Sequence, residues 1–187
     1  MNIPNAISAF RLCLVPVFAY VYFNGGDYAT FYAFGIFALA GFSDVLDGYI
    51  ARKYNMVTML GRIIDPLADK LMVVTALICT SVAGHIHPFF PVAYFVKEGW
   101  QGIQAFRLAG RISDVPPANF WGKGATFLYY VSITIAMLLP GKGNTAAFVT
   151  LCAAIIFSLV AYYTYRVRGK RLIDEADKAK ESTKGGN

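Results

Sequence analysis

Long apolar runs alternate with short polar breaks along the chain. Six runs are long enough for helices that cross a bilayer about 30 Å thick, and they cover about residues 7–23, 29–49, 66–83, 88–106, 120–139 and 146–165. The breaks between them are rich in glycine, proline, asparagine or charge, as at residues 24–27, 84–88 and 140–144. This pattern predicts an all-α integral membrane protein with six transmembrane helices.

The composition agrees with that prediction. Of the 187 residues, 57% are hydrophobic and 15% are charged, whereas a soluble domain carries about 25% charged residues. The cysteines Cys13, Cys79 and Cys152 stand singly in apolar runs, which indicates packing residues without metal-ligand spacing. We expect one membrane domain over residues 1–173 and a polar C-terminal tail over residues 174–187.

Basic residues are concentrated in alternate breaks. The breaks after the first, third and fifth runs contain one Lys or Arg between them, Lys142. The other side of the membrane collects Arg11, Arg52, Lys53, Arg62, Arg107, Arg111, Lys123 and the basic residues after the last run. The positive-inside rule therefore predicts that both termini are cytoplasmic. The net charge of +6 fits anionic lipid headgroups, and we expect no nucleic-acid partner.

Four aspartates interrupt the apolar pattern around the second break: Asp44, Asp47, Asp65 and Asp69. Spacings of i, i+3 and i, i+4 place each pair on one face of its helix, and a short loop makes the two helices antiparallel neighbours. Each ionised Asp at the centre of a membrane helix costs about 2.5–3.5 kcal/mol, so the cluster needs compensating charge. Its all-oxygen composition suits Mg²⁺ or Mn²⁺, and without His or Cys it does not suit Zn²⁺.

Three kinds of site are compatible with such acidic pairs. They can belong to a metal-dependent phosphate-transfer enzyme, to the ion pathway of a small transporter, or to a structural cluster with Arg52, Arg62 and Lys70. Neighbouring residues favour the enzyme, because Gly48 and Ala51 let a bulky group approach the backbone. The guanidinium fork of Arg52 suits phosphate. The transporter remains the alternative at this point.

The acidic segment resembles the signature of a known family. From Asp44 to Asp69 it reads D-x2-D-G-x2-A-R-x8-G-x3-D-x3-D, and every position and spacing matches the CDP-alcohol phosphatidyltransferases. The resemblance implies a six-helix, homodimeric enzyme of phospholipid biosynthesis. Such an enzyme transfers a phosphatidyl group from CDP-diacylglycerol to an alcohol and releases CMP. It also implies a site at the cytoplasmic side of a bacterial cytoplasmic membrane.

The resemblance further implies roles for individual residues. The four aspartates match the ligands of a binuclear Mg²⁺ or Mn²⁺ centre, and the last of them, Asp69, also matches the base that takes the acceptor hydroxyl proton. Four positions between the acids match those that hold the CDP moiety: Gly48, Ala51, Arg52 and Gly61.

The acceptor alcohol is less closely specified. Within the family, the first residues and the run 51–71 are most similar to phosphatidylglycerophosphate synthases and CMP-forming cardiolipin synthases. Lys97, Arg107 and Lys123 are the candidate acceptor-binding residues, although Lys97 can instead pair with Glu98, and Lys123 can simply lie at the membrane interface. Ala105 replaces an arginine that the phosphatidylglycerophosphate synthases tend to carry, which suits an uncharged acceptor. We expect glycerol 3-phosphate, with phosphatidylglycerol as the alternative.

Overall fold

A computed structural model describes residues 3–54, 61–109, 120–139 and 144–184. In these ranges the chain forms α1 (Ile3–Asn24), α2 (Ala29–Lys53), α3 (Gly61–Val82), α4 (Phe89–Ala109), α5 (Phe120–Leu138) and α6 (Thr145–Lys184). A 3₁₀ turn at Gly26–Tyr28 lies between α1 and α2. The described ranges contain no strand, so the all-α prediction is confirmed. The first five predicted apolar runs each correspond to one helix within a few residues, whereas α6 continues well beyond residue 165, where the sixth predicted run ends.

Three stretches in the described helices are long and apolar enough to cross a membrane: Ala6–Asn24, Gly26–Ile50 and Thr145–Lys170. Large apolar side chains on these stretches are exposed, among them Tyr20, Phe31 and Tyr163. Such a surface is typical of a membrane protein, because lipid rather than water covers it. The early turns of α3 are more polar because they contain the acids and Lys70. Six crossings therefore stay a prediction.

The chain divides into two compact units. The first consists of Met1–Pro91 and Tyr130–Phe148, and the second of Val92–Tyr129 and Val149–Asn187. In the first unit α1 packs against both α2 and α3. The predicted tail beginning at residue 174 stays a prediction, and α6 runs through that position to Lys184.

Buried side chains form one stripe along each helix of the first unit, with the three- and four-residue spacing of a helical face. The stripe of α1 consists of Ser8, Arg11, Leu14, Phe18 and Tyr22. The stripe of α2 consists of Ala33, Phe37, Ala40, Ser43 and Asp47. Both stripes are apolar over most of their length and become polar at one end, the start of α1 and the end of α2. These two polar ends position the candidate site.

Aromatic contacts hold the second unit together. The rings of Tyr94 and Tyr129 meet edge to face with their centroids 4.8 Å apart. The rings of Trp121 and Phe157 lie 5.2 Å apart. The indole N–H of Trp100 donates a hydrogen bond of 2.9 Å to the hydroxyl of Tyr162. These contacts link α4 with α5 and both of them with α6 through large, geometrically specific surfaces.

Candidate active site

The acids of α2 meet an arginine from the start of α1. Nη1 of Arg11 lies 2.6 Å from Oδ1 of Asp44, and Nη2 lies 2.5 Å from Oδ2 of Asp47. The Arg11 side chain is 0% exposed, whereas that of Asp47 is 4% and that of Asp44 is 44% exposed. The i, i+3 spacing of the two acids thus lets both carboxylates accept from one guanidinium fork.

Ser8 joins this pair to the acids of α3. Its hydroxyl donates a hydrogen bond to Oδ1 of Asp65, and the same Ser8 oxygen lies 3.4 Å from Oδ2 of Asp47. Ser8 precedes Arg11 by one helical turn and lies on the same buried stripe of α1. The start of α1 therefore brings Asp44, Asp47 and Asp65 together through two side chains.

Asp69 lies one turn beyond Asp65 on α3 and meets a different helix. The hydroxyl of Tyr130, on α5, donates a hydrogen bond of 2.8 Å to Oδ1 of Asp69. The two acids of α3 therefore share a helical face but are contacted by different elements. Asp65 accepts from α1, and Asp69 accepts from α5.

The oxygen chemistry of this cluster fits a hard divalent cation. Carboxylates are the protein ligands that Mg²⁺ and Mn²⁺ prefer, and the acids already accept from a cationic fork and a hydroxyl. Across the described part of the chain, no three His, Cys, Asp or Glu side chains are arranged to hold a single ion. In this structure the guanidinium of Arg11 is the positive group that pairs with Asp44 and Asp47.

The position of Arg11 differs from what its charge alone indicates. The positive-inside pattern counts Arg11 with the basic residues that set orientation, and it leaves charge compensation to Arg52, Arg62 and Lys70. The structure instead buries Arg11 among the acids, while the side chains of Arg52 and Arg62 lie outside the described residues. One signal in the sequence could have identified Arg11 as a site residue. It is a charged residue on the buried face of an apolar helix, and charged residues inside membrane helices usually mark function.

The positions predicted to hold CDP lie on α2 and α3. Gly48 is half-buried directly after Asp47, and Gly61 is buried at the first residue of α3. The side chains of Ala51 and Arg52 lie outside the described residues. The two described glycines thus flank the acids on the two helices that carry them.

The candidate acceptor-binding residues belong to the second unit. Nζ of Lys97 lies 2.6 Å from Oε1 of Glu98, so the anticipated ion pair is present. Lys123 is exposed in the first turn of α5, and the side chain of Arg107 lies outside the described residues. One turn along α4 from Lys97, Oε1 of Gln101 is buried without a hydrogen-bond partner in the described structure.

A cavity of about 650 Å³ lies where α3 turns into α4, away from the acids at the start of α3. Its lining includes Ser81, His85, His87 and Asn144, but none of the four aspartates. The side-chain amide of Asn144 is already engaged, because it accepts from the Ala147 N–H and donates to the Leu139 carbonyl. This cavity is separate from the acidic cluster and is not a candidate for the same chemistry.

The family follows from the extent of the match to known proteins. A model of the CDP-alcohol phosphatidyltransferase family matches residues 1–161, a range that includes all four aspartates, Ser8, Arg11 and Tyr130. The chain belongs to this family. The resemblance inferred from the motif is confirmed. The protein is thus a transferase of phospholipid biosynthesis, and the transporter alternative is set aside.

Individual CDP-alcohol phosphatidyltransferases resemble it over most of its length. A probable phosphatidylglycerophosphate synthase of Mycobacterium tuberculosis is 36% identical over 174 residues, which cover 91% of this chain and 82% of that protein. A CDP-diacylglycerol–glycerol-3-phosphate 3-phosphatidyltransferase of Rickettsia bellii is 30% identical, with 87% and 89% covered. A CMP-forming cardiolipin synthase of Streptomyces coelicolor is 31% identical, with 79% and 70% covered.

Proposed function

We propose that this CDP-alcohol phosphatidyltransferase transfers a phosphatidyl group from CDP-diacylglycerol to glycerol 3-phosphate. The observation that carries the proposal is the cluster of Asp44, Asp47 and Asp65 around Arg11 and Ser8, at the polar end of otherwise apolar helices. That arrangement suits a reaction between a water-soluble nucleotide group and a lipid. The family membership supports CDP-diacylglycerol as the donor.

In the proposed reaction Asp69 is the base. The acceptor hydroxyl oxygen attacks the phosphorus that bears diacylglycerol, the bond from this phosphorus to the CMP oxygen breaks, and CMP leaves with that electron pair. Asp69 takes the hydroxyl proton as the new P–O bond forms. Its Oδ1 accepts a hydrogen bond from the Tyr130 hydroxyl. This contact supports the proposal, because it would orient the carboxylate before substrate binds.

The proposed cofactor is a binuclear Mg²⁺ or Mn²⁺ centre held by Asp44, Asp47, Asp65 and Asp69. When bound, the ions would neutralise the pyrophosphate and stabilise charge on the entering and leaving oxygens. Arg11 and Ser8 hold three of these carboxylates together. The CDP moiety would be held by the residues that match the family signature, which are Gly48, Ala51, Arg52 and Gly61.

We also propose six crossings, cytoplasmic termini, a cytoplasmic active site and a homodimer. The alternation of basic breaks supports the orientation. The polar ends of the buried stripes on α1 and α2 support a site near one membrane surface, where CMP can depart into water while the acyl chains stay in lipid. The homodimer rests on the family resemblance alone.

The acceptor assignment has its own support and its own test. The names of two relatives, a phosphatidylglycerophosphate synthase and a glycerol-3-phosphate phosphatidyltransferase, favour glycerol 3-phosphate. Ala105 and the cardiolipin synthase relative favour phosphatidylglycerol. Offering each acceptor separately to the purified protein should give lipid product with glycerol 3-phosphate. Lys97→Gln and Lys123→Gln should then raise the KM for glycerol 3-phosphate, while the exposed Lys170→Gln should not. Product with phosphatidylglycerol alone would make the protein a cardiolipin synthase.

The transfer itself is tested by CMP release. Purified full-length protein with CDP-diacylglycerol, glycerol 3-phosphate and Mn²⁺ should release CMP, and Asp69→Asn should reduce the rate at least about a hundredfold, since a positioned base contributes about 10²–10⁴. Asp27→Asn is the matched control, because Asp27 is exposed in the 3₁₀ turn and outside the cluster. Absence of CMP release with glycerol 3-phosphate, phosphatidylglycerol, inositol or serine would contradict the proposal.

A further inference from the structure

We propose that Tyr130 is a positioning residue for the catalytic carboxylate of Asp69, and that position 41 is a glycine because the Tyr130 ring lies against it. The proposal rests on the proposed function, in which Asp69 is the base of the transfer. Neither Tyr130 nor Gly41 is part of the aspartate signature, and they come from different helices, α5 and α2.

The hydrogen bond between Tyr130 and Asp69 constrains a side chain that otherwise turns easily. The hydroxyl lies 2.8 Å from Oδ1 of Asp69 and comes from a residue 61 positions away in the chain. The terminal torsion of an aspartate has a broad energy profile, so a single strong donor can select one orientation of the carboxylate. Hydrogen bonds to a charged acceptor are the stronger kind.

The ring of Tyr130 is held against one face of α2. It stacks on the ring of Phe37, with centroids 4.8 Å apart and planes inclined by 28°. One turn further along, a Cβ placed on Gly41 would lie only 3.0 Å from Cε1 of Tyr130. Phe37 and Gly41 share a helical face with Asp44, at i, i+4 and i+7. A Cβ at position 41 would therefore require the ring to shift by a few tenths of an ångström, and the hydroxyl that contacts Asp69 would shift with it.

Tyr130→Phe tests the hydroxyl while leaving the ring in place. In the CMP-release assay with CDP-diacylglycerol, glycerol 3-phosphate and Mn²⁺, we expect kcat to fall about tenfold, the rate equivalent of one hydrogen bond to a charged group. The KM for CDP-diacylglycerol should change less than about twofold, because a lost transition-state interaction lowers kcat and kcat/KM together. Tyr22→Phe is the matched control, since Tyr22 is buried and its hydroxyl makes no hydrogen bond in the described structure.

Gly41→Ala separates positioning from packing. Alone it should lower kcat because it displaces the ring, but it should add little in a Tyr130→Phe protein, where no hydroxyl remains to be misplaced. Such non-additivity is expected of residues that act through one contact. Equal losses of kcat for Gly41→Ala in both backgrounds would overturn the proposal, as would full kcat in Tyr130→Phe or an equal loss in Tyr22→Phe.

The results distinguish failure of the proposed function from failure of the positioning role of Tyr130. If the wild-type protein releases no CMP with any acceptor, the proposed function fails and the role of Tyr130 fails with it. If the wild type is active and Asp69→Asn is not, while Tyr130→Phe works at the full rate, only the positioning role is wrong.

Discussion

The guanidinium of Arg11 donates to the carboxylate of Asp47 across 2.5 Å, with the Arg11 side chain 0% and the Asp47 side chain 4% exposed. Both residues lie on buried stripes that are otherwise mainly apolar. A buried ion pair contributes little net stability compared with an apolar pair, but removing one partner leaves an uncompensated charge. The start of α1 is thus tied to the acids of α2, although no residue of α1 belongs to the aspartate motif.

Replacing Arg11 with glutamine should destabilise the protein. Loss of one partner of a buried ion pair costs about 3–5 kcal/mol, which for a chain of this length corresponds to a decrease in Tm of about 6 °C or more. Thermal unfolding in detergent without divalent ions measures this. Lys170→Gln, which removes an exposed cation on α6, should leave Tm unchanged. Equal Tm values for the Arg11 variant and the wild type would show that the ion pair of Arg11 with the acids is not needed for stability.

Replacing Ser8 with alanine should weaken activity more than stability. The variant loses the donor to Asp65, and we expect CMP release to slow about three- to tenfold, consistent with one hydrogen bond of about 0.5–1.5 kcal/mol. Ser43→Ala is a close control, because the Ser43 hydroxyl donates to the Leu39 carbonyl of its own helix at 2.7 Å. A loss in Ser43→Ala as large as that in Ser8→Ala would show that the contact with Asp65 is not the cause.

Mn²⁺ should raise the Tm of the wild-type protein, because an ion that binds only the folded state stabilises it by about 2.7 kcal/mol at a hundred times its Kd. Asp47→Asn should reduce this increase, since it removes a proposed ligand. Asp27→Asn, in the exposed turn before α2, should keep it. Chelation with EDTA should stop CMP release, and added Mn²⁺ should restore it. An identical Mn²⁺ response in Asp47→Asn would exclude Asp47 as a ligand.

The ends of α2 should lie on opposite sides of the membrane. The helix runs from Ala29 to Lys53 over 25 residues, which at about 1.5 Å per residue exceeds the thickness of the hydrocarbon core. In a variant without the native cysteines, Asp27→Cys should react with an impermeant maleimide in intact cells. Lys53→Cys should react only after the membrane is permeabilised. The reverse labelling pattern would contradict cytoplasmic termini.

Much of the local structure follows from the sequence because it depends on spacing along the chain. Apolar runs of membrane length predict the helices, and all six occur within the described ranges. The spacing of Asp44 with Asp47 and of Asp65 with Asp69 predicts shared faces on α2 and α3, since helical geometry is local. Gly41 is an instructive case, because its position in the sequence does not identify the group that lies against it. The structure identifies the Tyr130 ring as the group that approaches it.

The sequence by itself therefore determined the helical class, the acidic motif and the family to which that motif belongs. Tertiary packing decided which side chains from other helices contact the acids: Ser8 and Arg11 from α1, and Tyr130 from α5. The physical reason is that a motif records neighbours along one segment, whereas these contacts join residues 33 to 61 positions apart. Their geometry depends on how whole helices pack, and Arg11 shows the consequence most clearly. Its charge alone indicates membrane orientation, and only its burial beside Asp47 makes it part of the site.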